Sequence, residues 1–188
     1  MKTVLITGVG KGIGHALMEK FLTEGFFVIG TSFKDRPQSH EHVKDFALDL
    51  GKPESIASCV TAITNFGRKI DILVNNAGIL TDEEETQIVV EKLRKTLEVN
   101  LVGTIDFTQR LLSIMEDNGH IVNISSTAGS LELVGEVSHF MGYYPAYKIS
   151  KAALNMYTRT LALELTGRGI IVSSVHPGWT KTDMGGEE

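Results

Sequence analysis

The residues of this chain best suited to acid–base chemistry are a tyrosine and a lysine four positions apart, Tyr147 and Lys151. The run that follows, residues 152–165, lacks Gly and Pro and is rich in Ala and Leu, which predicts a helix. Side chains at i and i+4 share one helix face, so we expect the phenol and the ammonium to lie together. A neighbouring ammonium favours the phenolate and lowers the tyrosine pKa from its reference value of about 10. A tyrosine tuned in this way can exchange a proton with a substrate oxygen.

The same spacing also has a purely structural interpretation. A half-buried aromatic ring beside a surface lysine is common, and structural ion pairs perturb pKa values too. Tyr144 and Lys148 repeat the spacing. However, Pro145 is typical of a first helical position and restricts Tyr144 to an extended conformation outside the helix. The Tyr147–Lys151 pair therefore needs support from the rest of the chain.

The composition is that of a globular domain. The 188 residues are enough for one domain with a sizeable core, residues 1–188, without linkers or repeats. The net charge of -5, with no Lys/Arg cluster, argues against a nucleic-acid partner. No apolar run is long enough for a membrane span, and the single Cys59 suits a reducing compartment, so we expect a cytoplasmic protein. The six histidines show no metal-ligand spacing, and no metal site is predicted.

Apolar strands and helical segments alternate along the chain. This alternation predicts an α/β fold: a doubly wound parallel (Rossmann) sheet in three layers, with helices on both faces. The predicted strands are residues 3–7, 26–30, 46–48, 71–74, 121–124 and 170–175. Four helical segments are predicted. The first ends at Gly25 and the second begins at Pro53. The third runs from about 87 to 116 and is capped by Gly119, and the fourth ends at about 165.

A glycine-rich loop follows the first strand. Its working pattern is Thr7-Gly8-x-x-x-Gly12-Ile13-Gly14. Small residues there let the backbone approach a pyrophosphate, whose charge the following helix N-terminus stabilises. A tight strand–helix turn without a ligand explains the glycines equally well.

The end of the second strand bears on cofactor choice. NAD-binding proteins usually place an acidic residue there to bind the ribose 2′-hydroxyl, but this chain has Ser32, with Lys11, Lys34 and Arg36 nearby. A small hydroxyl among cations favours a 2′-phosphate and hence NADP over NAD. Because Asp35 is also close, solvated surface cations remain the alternative.

The third strand ends at Asp49. The Asp49 carboxylate is placed to accept a hydrogen bond from an adenine amino group, or to cap the turn before Pro53. Ligands of doubly wound sheets bind beyond the carboxyl ends of the strands, where most of the candidate residues fall.

Taken in order, these motifs resemble those of the short-chain dehydrogenase/reductase family over essentially the whole chain. The matching segments are Thr7-Gly8-x-x-x-Gly12-Ile13-Gly14, Asn75-Asn76-Ala77-Gly78, Asn100, Ser126, Tyr147-x-x-x-Lys151 and Pro177-Gly178. Residues 176–186 are similar to the subgroup that contains sniffer-type carbonyl reductases and bacterial C-factor proteins.

The resemblance implies roles for four catalytic residues. Tyr147 would be the general acid in carbonyl reduction. Lys151 would hold the nicotinamide ribose and lower the Tyr147 pKa. Ser126 would orient the substrate carbonyl. Asn100 would bend the long helix and hold a water that relays protons to Lys151. The structural alternatives are that Ser126 merely ends a strand and that Asn100 is an ordinary polar residue in the middle of a helix.

The resemblance also implies a cofactor site, a small carbonyl or alcohol substrate, and a homodimer or homotetramer paired through the long central helix and the Tyr147 helix. The implied cofactor-binding residues are Gly8, Lys11, Gly12, Ile13, Gly14, Ser32, Asp49, Leu50, Asn76, Ala77, Gly78, Tyr147, Lys151, Pro177, Gly178, Thr180 and Thr182.

Two features depart from the family pattern. Ser126 and Tyr147 are 21 positions apart, more than is usual, and the extra loop is a candidate substrate pocket or interface. The chain ends at Glu188, where the family continues through a further helix and a seventh strand, so the sixth strand is expected as a sheet edge. A nucleotide-binding regulatory protein of the C-factor type is the main alternative function, and an epimerase or dehydratase is a second.

Overall fold

The computed structural model describes residues 1–33, 40–134, 142–178 and 180. Its strands are β1 Thr3–Thr7, β2 Phe27–Ser32, β3 Val43–Ala47, β4 Ile70–Asn75, β5 Met115–Ile124 and β6 Ile171–Val175. Its α-helices are α1 Gly12–Thr23, α2 Pro53–Phe66, α3 Val90–Leu97, α4 Thr104–Leu111 and α5 Pro145–Glu164. A π-helical segment, Glu98–Gly103, joins α3 to α4, and single 3₁₀ turns cover Leu112–Ile114, Thr127–Gly129 and Thr166–Arg168.

The six strands form one sheet in the order β3-β2-β1-β4-β5-β6, and every neighbouring pair is parallel. The prediction of a doubly wound Rossmann sheet is therefore confirmed. The chain proceeds outward from β1 in one direction and from β4 in the other. This reversal opens a crevice beyond the carboxyl ends of β1 and β4, where such folds bind their ligands.

The core lies on both faces of the sheet because alternate side chains of a strand point to opposite faces. Leu5 of β1 belongs to a cluster with side chains of α2, α4 and α5, including Ile63, Phe107 and Leu161. Val4, on the other face, packs in a second cluster with Met18 of α1. All five residues of β1 are buried, as expected for a strand covered on both faces.

Helix α2 shows how local sequence fixes the bounds of an element. Pro53 occupies its first turn, and Gly67 ends it in the left-handed region with φ 81°. Cys59 lies in the apolar face of α2 and is buried, and that burial raises the pKa of its thiol to about 12.

A long helical region is present as predicted, but the predicted bounds of about 87 and 116 were wrong. It begins at Val90 and ends with the 3₁₀ turn Leu112–Ile114, and its middle is the π-helical segment Glu98–Gly103. At the end of that segment a Cβ on Gly103 would lie 1.9 Å from the Leu50 carbonyl oxygen, so the helix passes directly over the loop after β3.

The predicted cap at Gly119 was also wrong, because Gly119 lies within β5. That strand pairs Met115 with Ile70 and His120 with Ile72, so its register shifts between them. Asn118, in the extra residues, has φ 60°. Because the residues of this bulge are polar, the sequence pattern in the first half of the strand is typical of a helix end rather than of a strand.

Tyr144 lies outside α5, as predicted, but its backbone is left-handed (φ 36°, ψ 54°) rather than extended. Pro145 occupies the first turn of α5, as predicted. In the described part of the chain, no helix has the length and apolar character needed to cross a membrane.

Candidate active site

The loops after β1 and β4 meet at the crevice. Thr7 Oγ1 accepts hydrogen bonds from the backbone N–H groups of Asn76 and Ala77, both at 2.9 Å. The Asn76 side-chain amide donates to the Thr7 carbonyl at 2.8 Å. The motif Asn75-Asn76-Ala77-Gly78 is therefore fixed directly against the first strand and the glycine loop.

The glycine loop approaches its neighbours too closely for side chains. A Cβ on Gly14 would lie 2.2 Å from the Gly8 carbonyl oxygen and 2.6 Å from the Asn76 amide nitrogen. Gly8 and Gly12 adopt positive φ values of 77° and 57°, which other residues adopt only with strain. The absence of side chains at these glycines thus lets backbone groups lie close together at this end of the crevice.

The start of α1 faces the same loop. The helix begins at Gly12, and the first helical hydrogen bond runs from the His15 N–H to the Lys11 carbonyl. The N–H groups of Gly12, Ile13 and Gly14 therefore precede the helical ladder and favour an anion. Together with the closely packed glycines of the loop, these N–H groups fit the pyrophosphate of a dinucleotide.

The residues predicted for the adenosine end lie along the ends of β2 and β3. Ser32 ends β2 and is buried, whereas Lys11 is exposed. Lys34, Asp35 and Arg36 lie outside the described residues. The NADP prediction therefore depends on Ser32 and Lys11 in the described structure.

Asp49 has the turn role that the sequence left open. Its Oδ1 accepts from the Gly51 N–H at 2.9 Å, and its own N–H donates to Ser55 Oγ at 2.9 Å. Leu50 is buried in the core. An adenine contact for Asp49 and a cofactor contact for Leu50 stay predictions, and the backbone is the part of Leu50 suited to one.

Tyr147 and Ser126 meet at the carboxyl end of the sheet. Tyr147 lies in the first turn of α5, and Ser126 follows β5 and caps a 3₁₀ turn by accepting from the Ala128 N–H at 3.1 Å. The Ser126 hydroxyl lies near the Tyr147 phenol, and its interaction with that phenol lowers the Tyr147 pKa. The neighbouring Ser125 instead donates to Asn155 at 2.7 Å.

Lys151 lies on the same side of α5 as Tyr147, as their spacing predicts. Its Nζ is 5.4 Å from the centroid of the Tyr147 ring and donates to the Ile124 carbonyl at 2.7 Å. The side chain is only 6% exposed, and burial lowers the lysine pKa to about 8. A lysine with this pKa gains and loses its proton readily near neutral pH.

The sequence predicts a lowered pKa for Tyr147, but the pKa of this buried phenol is raised. Burial raises the pKa of the phenol above its ordinary value, and the Ser126 hydrogen bond offsets part of that rise. Desolvation of the phenolate is the larger effect. It is Ser126, rather than Lys151, that lowers the Tyr147 pKa here.

Asn100 lies within the π-helical segment and is buried. Its side-chain amide forms a reciprocal pair with Ile79, accepting from the Ile79 N–H at 2.8 Å and donating to the Ile79 carbonyl at 2.9 Å. It also lies 3.2 Å from Ser150 Oγ, which donates to the Tyr147 carbonyl at 2.7 Å. Asn100 thus links the segment after β4 to the helix that carries Tyr147.

Gly78 brings the nucleotide side and the catalytic side together. A Cβ built on Gly78 would lie 3.2 Å from Asn100 Oδ1 and 4.0 Å from Lys151 Nζ. The absence of a side chain at Gly78 keeps this space open between the crevice and the catalytic group. Four predicted catalytic residues, Asn100, Ser126, Tyr147 and Lys151, therefore converge at one end of the crevice.

The segment after β6 reaches the same edge of the sheet. The Ser125 N–H donates to the Val175 carbonyl at 2.8 Å, which places the end of β6 beside the two serines. Pro177 and Gly178 follow at the surface, and Gly178 has φ 79°. Thr180 is partly buried. Thr182 lies outside the described residues, so its predicted role has no structural description.

The sequence reasoning missed one buried carboxylate near the site. Asp82 was part of a polar segment, 81–85, in which three glutamates follow it. In the structure Asp82 is 1% exposed and accepts from the Ala146 N–H at 2.6 Å, at the start of α5. Its position four residues after Gly78 was the available signal, but nothing local separates it from the neighbouring acidic side chains.

A buried polar network across the sheet was also missed. The Asn75 amide donates to Thr108 Oγ1 at 2.9 Å and to Asn123 Oδ1 at 2.8 Å, and Asn123 donates to Thr158 Oγ1 at 2.8 Å. These bonds connect α4 through β4 and β5 to α5.

Among the residues that the structure describes, no group of three or more His, Cys, Asp or Glu side chains is arranged to hold a metal ion.

Comparison with known proteins agrees with this geometry. The sequence profile described as short chain dehydrogenase matches residues 2–188. The chain is 37% identical over 195 residues to the 3-oxoacyl-acyl-carrier-protein reductase FabG of Aquifex aeolicus, covering 97% of this chain and 75% of that protein.

Solved structures give the same result. The structure of NADPH-bound carbonyl reductase from chicken fatty liver is similar with a TM-score of 0.89 and 27% identity, over 99% of this chain and 79% of that chain. The structure described as the carbonyl reductase Sniffer of Caenorhabditis elegans shares the fold, with a TM-score of 0.85 and 24% identity over 95% and 85% of the two chains.

Proposed function

This chain belongs to the short-chain dehydrogenase family, and we propose from that premise that it transfers a hydride between NADP(H) and a small carbonyl or alcohol substrate. The observation that carries the proposal is the convergence of Ser126, Tyr147 and Lys151 beside the open space at Gly78. A phenol, a buried lysine and a glycine-rich nucleotide crevice meet at one point. That combination serves proton transfer to an oxygen next to a bound dinucleotide.

In the proposed reduction, Tyr147 Oη gives its proton to the substrate oxygen. The raised pKa of the phenol keeps it protonated at neutral pH, so the proton is available. Ser126 holds the substrate oxygen within reach of that proton and then favours the phenolate by hydrogen bonding. In the reverse direction the same phenolate accepts the alcohol proton.

Lys151 is the proposed route by which Tyr147 regains a proton. A lysine whose pKa lies at about 8 is present in both charge states near neutral pH. Its Nζ lies over the Tyr147 ring and beside the space at Gly78. Asn100, which borders the same space, is the proposed holder of a water that connects Lys151 to solvent.

The residues of the crevice fit NADP(H), which supplies or accepts the hydride when bound. The pyrophosphate would lie at Gly8, Gly12, Ile13 and Gly14, and the nicotinamide ribose at Lys151. The NADP preference is supported by Ser32 at the end of β2, where an acidic residue would bind the ribose hydroxyl of NAD instead. A similar carbonyl reductase is known with NADPH bound.

Turnover is the direct test. Purified protein is mixed with NADPH and a panel of aldehydes, ketones, quinones and 3-oxoacyl thioesters, and NADPH consumption is followed by absorbance. We expect consumption with at least one class, and loss of about 10²–10⁴-fold in Tyr147→Phe while NADPH still binds. Tyr157→Phe, on the same helix but outside the site, is the matched control and should keep parental activity.

Two outcomes would contradict the proposal. If Tyr147→Phe is as active as the parent, the phenol is not the proton donor. If NADPH binds but the whole panel gives no turnover, the regulatory alternative replaces the enzyme.

We also propose that two copies pair through the π-helical segment and α5. Val102, Met156 and Leu163 are large apolar side chains on these helices and are 48%, 65% and 79% exposed. Burying them removes apolar surface from water and favours association. Light scattering on Met156→Glu should show a smaller mass than the parent, whereas Lys20→Glu on α1 should leave the mass unchanged. Equal masses for all three proteins would contradict this pairing.

A further inference from the structure

Helix α5 carries Tyr147 in its first turn, yet its own sequence gives that turn no side-chain cap. The residue before the helix, Tyr144, makes no capping bond with its side chain, and Pro145 has no N–H to donate. The first helical hydrogen bond runs from the Lys148 N–H to the Tyr144 carbonyl at 3.0 Å. The N–H of Ala146, directly before Tyr147, therefore needs a partner from elsewhere.

That partner is Asp82, which is 64 positions away in the chain. Its Oδ2 accepts from the Ala146 N–H at 2.6 Å, and the carboxylate is 1% exposed. In the described structure, its second oxygen, Oδ1, is buried with no hydrogen-bond partner. A carboxylate at a helix N-terminus is favoured by the helix dipole.

Stability alone does not account for this carboxylate. A hydrogen bond to a charged group contributes about 1.5–3 kcal/mol, but a buried oxygen left without a partner costs about 1–3 kcal/mol. The helix dipole adds about 0.3–2 kcal/mol. The two stabilising contributions exceed the cost by only about 1–2 kcal/mol. We therefore consider where Asp82 places the helix to be its main consequence.

The segment that carries Asp82 is itself fixed to the active site. Ile79 forms the reciprocal pair with Asn100, and Thr81 Oγ1 lies 2.8 Å from Thr96 Oγ1 on α3. Asp82 is the next residue, and it holds the N–H directly before Tyr147. One short segment thus sets the position of the Tyr147 turn relative to Asn100 and Gly78.

We propose that Asp82 is a positioning residue for the reaction: by accepting the Ala146 N–H it fixes the first turn of α5 and so holds Tyr147 at the distance that proton transfer requires. The effect on rate rests on the proposed function, because it needs Tyr147 as the proton donor. The effect on the helix turn does not. A small misplacement of a catalytic group is enough to cost about 10²-fold in rate.

The test compares Asp82→Ala and Asp82→Asn in the full chain. Asp82→Asn keeps an oxygen that can accept the Ala146 N–H, whereas Asp82→Ala removes it. Glu83→Ala is the matched control, because it removes an exposed carboxylate from the next position of the same acidic run. For each variant we would measure kcat, KM, the free energy of unfolding, and amide exchange at Ala146 by NMR without cofactor.

We expect Asp82→Ala to lower kcat about 10- to 100-fold with KM for NADPH changed less than about twofold, and to speed Ala146 exchange. Asp82→Asn should keep kcat within about threefold and preserve the slow exchange. Glu83→Ala should keep the parental kcat and free energy of unfolding.

The proposal is overturned if Asp82→Ala keeps parental kcat, if Asp82→Asn loses as much as Asp82→Ala, or if Glu83→Ala loses kcat equally. If Asp82→Ala does not fold, Asp82→Asn still decides, because a large loss of kcat there contradicts an acceptor role. If the parent itself shows no turnover, the proposed function fails, while Ala146 exchange still tests the helix contact. Unchanged exchange in Asp82→Ala would then overturn the contact.

Discussion

Ser126 interacts with the phenol of Tyr147 although a long loop separates the two residues in the chain. The interaction connects the end of β5 to the first turn of α5. It also acts on the chemistry, because it lowers a Tyr147 pKa that burial raises. The strand end and the helix start therefore form one unit that both places the phenol and adjusts its acidity.

Replacing Ser126 should reveal both effects. In Ser126→Ala the Tyr147 pKa should rise further, because the hydrogen bond that lowers it is lost. Reduction requires protonated Tyr147, so the alkaline limb of the kcat profile should move to higher pH. We expect kcat to fall about 10- to 100-fold through lost orientation of the substrate. Steady-state kinetics between pH 6 and 11 measure both quantities.

Ser125→Ala is the matched control for that experiment. The Ser125 hydroxyl donates to Asn155 rather than to Tyr147, so this variant should keep the parental pH profile. If Ser125→Ala and Ser126→Ala shift the profile equally, the assignment of the two serines is wrong.

Burial of Lys151 should make stability depend on pH. Folding lowers the lysine pKa from 10.5 to about 8, so between these values the unfolded chain binds more protons than the native protein. The resulting penalty is fully present below pH 8 and is relieved as pH rises toward 10.5. Between pH 7 and 9 this relief amounts to about 1 kcal/mol. Lys151→Met lacks the titrating group and should lack that gain.

Urea unfolding of the parent and Lys151→Met at pH 7, 8 and 9 measures the difference. Cys59 has its thiol pKa raised by burial, from 9.0 to about 12, which lowers stability as pH rises above 9. That contribution is common to both proteins and cancels in the comparison. Parallel stability curves would show that Lys151 keeps its ordinary pKa on folding.

The close contact at Gly14 predicts that adding a single methyl group there lowers both stability and NADPH affinity. A Cβ there would lie 2.2 Å from the Gly8 carbonyl oxygen, so Gly14→Ala must displace backbone in the glycine loop. We expect a loss of about 1–3 kcal/mol in the free energy of unfolding and NADPH binding weakened more than about tenfold. Fluorescence titration with NADPH measures the binding.

Gly167→Ala provides the comparison, because nothing lies within 4 Å of a Cβ at Gly167. This variant should bind NADPH as the parent does. Tight NADPH binding by Gly14→Ala would place the pyrophosphate away from this loop.

Cofactor preference should follow Ser32. In Ser32→Asp a carboxylate at the end of β2 would repel a 2′-phosphate and accept from a ribose hydroxyl. We expect NADPH affinity to fall about 10- to 100-fold while NADH affinity rises, as measured by titration with each cofactor. Lys11→Ala should weaken NADPH alone, whereas Lys20→Ala, whose lysine pairs with Glu24, should change neither. An unchanged NADPH:NADH ratio in Ser32→Asp and Lys11→Ala would contradict the phosphate site.

Some features of this protein follow from local sequence. The alternation of apolar strands and amphipathic helices predicted the parallel sheet, because buried strands and helices differ in the spacing of their apolar residues. The four-residue spacing of Tyr147 and Lys151 placed both on one helix face, because 3.6 residues make a helical turn. Pro145 likewise marked the start of α5. In each case the information lies within a few neighbouring residues.

Other features were decided only by the tertiary structure, because they depend on contacts between residues far apart in the chain. The direction of the Tyr147 pKa depends on how deeply the phenol is buried, which its spacing from Lys151 does not reveal. Local sequence equally did not show that Asp82, among four consecutive acidic residues, would reach the start of α5. Burial and long-range hydrogen bonds arise when the chain closes on itself, and those contacts turn the motifs into a site.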